Sequence, residues 1–328
     1  MLNEFGLNAR RFLTVTFVVL GSVLSAPSPS LAQAKKPEAV RIVFVTHGQA
    51  NDAYWTVVKN GMTAAASALK VKVEYQAPAS FDVVKLAQMI EAATATRPDG
   101  LVISIPDATA LEGPIKAAKA AAIPVIVIDS GGEVVKPWGL DLYVGSASEY
   151  DNGVQAGELM GKAGVKDAMC VNHEVGNVSL DSRCQGLADG LKATGGKASV
   201  VAVSLDPTES ARRVEGYMAS HRSTDGMLML GTTLAEPLLK MLDERGYTKK
   251  LKIGSFDLSP EVLDALQSDK MMFGIDNQQY MMGYLPVVLL AGRAMYKTIP
   301  VTDILTGPSF VTKADAASIK TLSDQGIR

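Results

Sequence analysis

The strongest constraint on the fold is a repeated alternation. Short apolar, β-branched runs recur along the chain, and an amphipathic stretch separates each from the next. Val40 to Thr46 is the first such run, followed by a helical pattern from Ala53 to Leu69. Val71 to Tyr75, Gly100 to Ile105 and Pro124 to Ile128 read as further strands, with helices over Val83 to Ala95 and Thr109 to Ala121 between them. Continuous apolar strands joined by helices indicate a parallel sheet covered on both faces. Right-handed crossovers follow from that order.

A Gly- and Pro-containing stretch, Gly131 to Gly145, divides this series from a second one. There, strands are expected at Ala168 to Asn172, Ser199 to Ser204, Gly226 to Leu230, Leu251 to Ser255 and Met272 to Asp276. Helices alternate with them, a long one runs from about Tyr280 to Lys297, and an extended piece lies near Pro308 to Thr312. The expected fold class is therefore α/β, with two doubly wound parallel-sheet lobes. The length of 328 residues accommodates two such lobes. A composition of 47% hydrophobic and 20% charged residues fits a soluble protein with a sizeable core. A net charge of −2 offers no basis for a nucleic-acid or anionic-membrane partner.

The first 34 residues read as a separate object. Arg10 and Arg11 precede an apolar run from Phe12 to Leu24, and small residues around Ala32 and Ala34 follow. That order is the pattern of a secretory signal peptide, and the run is short for a membrane span. The expected mature chain starts near Lys35 and resides in the periplasm.

Ligands of doubly wound sheets bind outside the carboxyl ends of the strands. Those positions hold Thr46, His47, Gln49, Asn51, Asp52, Tyr54 and Trp55, then Asp129, then His173, Glu174, Asp181 and Arg183. They continue with Thr232 and Thr233, Asp257, and Asp276, Asn277 and Gln278. Carboxylates and amides engage vicinal hydroxyls, arginine presents a fork of donors, and an aromatic face suits the C–H face of a sugar ring. Each residue also has a plain structural use. Asp129 could cap a turn, Arg183 could be a solvated helix charge, and Tyr54 and Trp55 could be core. Their recurrence at one place in the βα unit favours a site.

These residues resemble the periplasmic sugar-binding proteins of the ribose-binding type, which serve ABC importers. The resemblance spans the chain after the leader. VTHGQANDAYWTVVKNGM resembles the family's first strand, polar loop and paired aromatics, which implies ligand roles for Asp52, Tyr54 and Trp55. VIVIDS, SRCQGL and IGSFD carry the binding roles to Asp129, Arg183 and Asp257, and GIDNQQYMMGY carries one to Asn277. Departures are Leu187 for an aromatic, Thr232-Thr233 for Asn-Asp, an extra residue near Asp52, and no Pro after Gln278. The full expected ligand set is Thr46, Asp52, Tyr54, Trp55, Asp129, Arg183, Thr232, Asp257 and Asn277.

The resemblance also implies a three-segment hinge near Tyr143 to Ser146, Ile275 to Asn277 and Thr306 to Pro308. Lobe one would hold residues 35–144 and 277–307, and lobe two residues 145–276 and 308–328. The implied function is capture of a monosaccharide or polyol for an inner-membrane ABC permease by hinge closure, without catalysis, by a monomer. A periplasmic sensor presenting its bound sugar to a receptor is the alternative. A carbohydrate hydrolase built on Asp129, Asp257 and Asp276 is a weaker one. No G-x-S-x-G elbow, Walker A loop or G-x-G-x-x-G turn is present, so no nucleotide cofactor is expected. The leader stands where a repressor of related fold would carry a helix-turn-helix. No H-E-x-x-H spacing points to a metal among the three histidines. The two cysteines, Cys170 and Cys184, are either a disulfide or two buried thiols; a bridge closing that loop would contribute roughly 3 kcal/mol.

Overall fold

A computed structural model describes residues 35–48 and 52–328. The expected leader, and Gln49 and Asn51, lie outside the described residues. The first sheet contains β1 (Arg41–Val45), β2 (Lys72–Gln76), β3 (Gly100–Ile103), β4 (Val125–Ile128), β5 (Leu142–Ser146) and β11 (Ile304–Gly307). Its order is β11-β5-β4-β3-β1-β2, and every neighbouring pair is parallel. The second sheet contains β6 (Asp167–Asn172), β7 (Lys197–Ala202), β8 (Gly226–Met229), β9 (Lys252–Phe256), β10 (Phe273–Asp276) and β12 (Ser309–Val311). Its order, β12-β10-β9-β8-β6-β7, repeats the first, except that β12 runs antiparallel to β10.

The apolar runs become central strands. Every residue of β3, β4, β8 and β10 is buried, as strands covered on both faces require. The edge strands β2 and β7 keep a largely exposed face. Helices α1 (Ala53–Leu69) and α10 (Gln279–Tyr296) pack with Ile42, Phe44 and Val102 on one face of the first sheet. Helices α2 (Val83–Ala95) and α3 (Ala108–Ala120) cover the other, around Val43, Ile103 and Val127. In the second lobe, α5 (Glu149–Lys162) and α6 (Val178–Lys192) cover one face. Helices α7 (Pro207–Ser220), α8 (Ala235–Glu244) and α9 (Pro260–Gln267) cover the other.

Short polar side chains start these helices at the strand ends. Asp52, Asp107, Ser148, Asn177 and Ser259 each accept a backbone N–H from the first turn of the helix that follows. A close approach sets the helix packing inside the second lobe. A Cβ at Gly186 on α6 would stand 2.1 Å from the Tyr150 carbonyl oxygen on α5, so only glycine admits this helix contact.

The chain passes between the sheets three times: from β5 into α5, from β10 into α10, and between β11 and β12 at Gly307-Pro308. Three elements differ from the sequence expectation. The stretch read as a divider holds a short helix, α4 (Gly132–Trp138), and β5. The final extended piece is β12, as expected, but it is preceded by an unanticipated strand, β11, in the other sheet. The C-terminal residues form α11 (Lys313–Asp324), which the periodic pattern did not reveal.

Candidate ligand-binding cleft

The carboxyl ends of both sheets face one cavity with an empty volume of about 370 Å³. The repeated strand order makes the two sides counterparts. His47 follows β1 and His173 follows β6; Asp129 follows β4 and Asp257 follows β9. Both aspartates have a left-handed backbone, with φ of 62° and 65°. A non-glycine residue in that region is uncommon, and such strain concentrates at functional sites. His47, Asp52, Tyr54, Trp55 and Asp129 line the cavity from lobe one. His173, Glu174, Arg183, Thr232, Thr233 and Asp257 line it from lobe two.

The floor is a hydrogen-bonded frame. Tyr54 donates its hydroxyl to Asp129 Oδ1 over 2.5 Å, and Ser130 Oγ donates to Asp129 Oδ2 over 2.7 Å. Gln279 Nε2 donates to Asp257 Oδ1 over 2.7 Å. Arg183 Nε donates to Glu149 Oε2 at 2.6 Å, Nη1 donates to the Leu230 carbonyl at 3.2 Å, and the guanidinium lies 4.1 Å from the Phe256 ring centroid. Burial works most strongly against the Arg183 charge, but Glu149, with Asp257 and Asp129, outweighs it and holds the guanidinium above its usual value. Burial pushes Asp257 well above the ordinary carboxylate range, with Arg183 pulling the other way. Burial, then Asp129, raises the Tyr54 hydroxyl, which therefore stays a donor at neutral pH.

The two lobes also touch. Thr233 Oγ1 donates to Asp52 Oδ1 over 2.8 Å, and the Val178 amide donates to the Pro106 carbonyl over 3.0 Å. Asn177 Nδ2 donates to Glu174 Oε2 at 2.9 Å and lies 3.2 Å from His47 Nε2. An amide NH2 only donates, so His47 Nε2 accepts there and its Nδ1–H points to Ser104 Oγ at 2.8 Å. The Trp55 ring meets His47 edge-on at 5.1 Å between centroids.

Two residues of the expected ligand set stand elsewhere. Thr46 is fully buried, and its hydroxyl meets the Tyr75 hydroxyl at 2.7 Å beside β2. Asn277 lies at the second chain crossing, where a Cβ on Gly307 would approach its Oδ1 to 2.8 Å. The chain turns through a left-handed Gln278, with φ of 56°, so Gln279 rather than Asn277 reaches the cleft carboxylate Asp257. Glu149, Asn177 and Gln279 were absent from the expected set. Asn177 carries a helix-capping signal, whereas Glu149 and Gln279 become legible only through packing. Cys170 on β6 and Cys184 on α6 form a disulfide, with Cα atoms 5.6 Å apart, directly beside Arg183. Among the described residues, no group of three or more His, Cys, Asp or Glu side chains is arranged to hold a metal ion.

Two α/β lobes whose strand ends share a polar cleft define a solute-capturing class of protein. Residues 42–297 match the family model described as periplasmic binding protein domain, and the chain belongs to that family. Its fold is similar to that of a carbohydrate transporter from Acidothermus cellulolyticus in complex with myo-inositol, with a TM-score of 0.82 and 28% identity over 88% of this chain and 99% of that one. A periplasmic sugar-binding protein of a Legionella pneumophila ABC sugar transporter gives a TM-score of 0.76 and 29% identity, covering 82% of this chain and 99% of that one. A xylose/arabinose-binding protein of Sulfolobus acidocaldarius is 22% identical over 90% of this chain and 77% of its own length.

Proposed function

We propose that this protein is an exported solute-binding component of an ABC importer that captures one monosaccharide or polyol between its lobes and performs no chemistry on it. The observation that carries this reading is the convergence of Asp129 and Asp257 from opposite sheets on one cavity, with Arg183 and the Tyr54-Trp55 pair. Buried carboxylates and a guanidinium accept and donate several hydroxyl hydrogen bonds at fixed positions. Ligand contacts from both lobes exist only when the lobes are closed, so binding shifts the population toward the closed form. The ligand-binding set is Asp52, Tyr54, Trp55, Asp129, Arg183, Thr232 and Asp257, with Gln279 orienting Asp257. The closed monomer is then the form that an inner-membrane permease receives.

A thermal-shift screen of pentoses, hexoses, pentitols, tetritols and myo-inositol tests this, because a ligand bound only by the folded state raises the melting temperature by mass action. At least one sugar or polyol is expected to raise it. A shift with amino acids or peptides and with no sugar would refute the ligand class.

A further inference from the structure

One fully buried amide joins the two lobes. Asn177 caps α6, and its Oδ1 accepts the Ser179 backbone N–H over 3.1 Å. That bond fixes which way the side chain faces, because its other end is then the NH2 group. The NH2 meets two acceptors. Glu174 Oε2 of its own lobe is 2.9 Å away, and His47 Nε2 of the opposite lobe is 3.2 Å away. Ser130 Oγ, also of lobe one, stands 3.5 Å from Oδ1.

His47 is held ready for this contact. Ser104 Oγ accepts the His47 backbone N–H at 3.0 Å and the ring Nδ1–H at 2.8 Å, which leaves the Nε2 lone pair facing Asn177. Glu174 Oε2 lies 3.5 Å from the same Nε2. Two acceptors stand that close because one amide donates to both. Replacing the amide by a group that cannot donate leaves buried acceptors unpaired, which is costly. Separating the lobes breaks only the His47 half of the arrangement. The cap and the Glu174 bond lie within lobe two, in the segment that starts the helix carrying Arg183.

Resting on the reading of the protein as a sugar or polyol receptor, we infer that Asn177 is a positioning residue for ligand capture. Its NH2 group registers His47 of lobe one against the Arg183-bearing helix of lobe two, and this bond forms on closure. Asn177 acts through those two cavity-lining residues, outside the ligand-binding set itself. A contact made only in the closed form adds to the affinity of any ligand that requires closure.

The test uses the intact protein and two substitutions that keep the helix cap, since Asn, Asp and Ser are comparable at that position. Asn177→Ser removes the NH2 group. Asn177→Asp puts an acceptor in its place, against Glu174 and His47 Nε2. The probe is the member of the thermal-shift panel of pentoses, hexoses, pentitols, tetritols and myo-inositol that binds the parent most tightly. Its dissociation constant is measured by calorimetry at pH 7.5 for parent and variants. The protonated nitrogen of His47 is read from the ring-nitrogen NMR shifts of histidine-labelled protein saturated with the probe, the signal being assigned by its loss in His47→Gln. Asn177→Ser is expected to bind the probe about tenfold more weakly, a gap of about 1.4 kcal/mol, and Asn177→Asp more weakly still. The parent is expected to hold its His47 proton on Nδ1, and Asn177→Asp to carry one on Nε2. If all three proteins bind alike with His47 unchanged, Asn177 is a helix cap only, and the inference fails while the receptor reading stands. Weaker binding with His47 unchanged in Asn177→Asp would place the effect within α6 and overturn the contact between lobes. If no member of the panel binds the parent, the receptor reading fails and the inference with it.

Discussion

Thr233 of the second lobe donates a hydrogen bond to Asp52 of the first, 2.8 Å across the mouth of the cleft. Asp52 also accepts the Tyr54 amide at 3.0 Å, so the residue that caps α1 is also a point of contact between the lobes. A hydrogen bond to a charged group contributes about 1.5–3 kcal/mol. Thr233→Val is therefore expected to weaken binding of the best ligand from the screen by roughly tenfold or more. Thr233→Ser should retain most of the affinity. Equal dissociation constants for Thr233→Val and the parent would show that the contact does not support closure.

Asp257 should make the empty protein less stable at neutral pH. Its pKa is raised on folding, mainly by burial. The folded state thus holds this proton more tightly than the unfolded chain, whose carboxyl titrates near 3.9. The favourable contribution is fully present below that value and disappears as pH rises through the folded value. Asp257→Asn keeps an acceptor for Gln279 and removes the charge. It is expected to raise the ligand-free melting temperature at pH 7 while lowering ligand affinity. A lower melting temperature at pH 7 would contradict the assignment.

His173 acts on the opposite side. Burial lowers it to about 4, so between roughly pH 6.5 and 4 the unfolded chain binds a proton that the folded protein does not. Stability from this group falls as pH drops through that window. His173→Gln is expected to flatten the decline in melting temperature between pH 7 and pH 5. Superimposable pH profiles for parent and variant would rule this out.

Gly186 is expected to matter for binding although it does not line the cavity. A methyl there meets the Tyr150 carbonyl at 2.1 Å and must push α6 away from α5. Overpacking of this kind typically costs about 1–3 kcal/mol. Because Arg183 on α6 pairs with Glu149 on α5, Gly186→Ala should lower both the melting temperature and ligand affinity. An affinity unchanged despite lost stability would separate the helix contact from the site.

The parallel sheets were legible because buried central strands such as Val125–Ile128 are apolar throughout, and amphipathic helices follow them. Leu142–Ser146 was obscured by the Gly- and Pro-rich residues before it, although the family resemblance had set a hinge segment there. The strand Ile304–Gly307 belongs to a sheet whose other members lie far upstream, a pairing that local periodicity does not encode. Within the site, Asp129 and Asp257 were visible because each directly follows a strand. Their left-handed backbones were not, since aspartate carries no glycine-like mark of positive φ. Thr46 and Asn277 occupy the expected strand-end positions, yet one turns toward Tyr75 and the other toward Gly307. Strand-end position narrows the candidates to a few residues. The direction of each side chain depends on its neighbours in three dimensions.

The threefold passage between sheets also governs the order in which the molecule can be completed. A chain emerging from its amino terminus delivers β1 through β5 early, but the sheet they build lacks its outermost strand and α1 lacks its helical partner. Those pieces, Gln279–Tyr296 and Ile304–Gly307, arrive only after β6 through β10 have been made. The first half to be synthesised therefore cannot finish on its own early strands, and the second, whose edge strand is Ser309–Val311, finishes later still. The flank of Leu142–Ser146 stays open until Ile304–Gly307 arrives, and a premature stop anywhere before Ile304 leaves that flank uncovered.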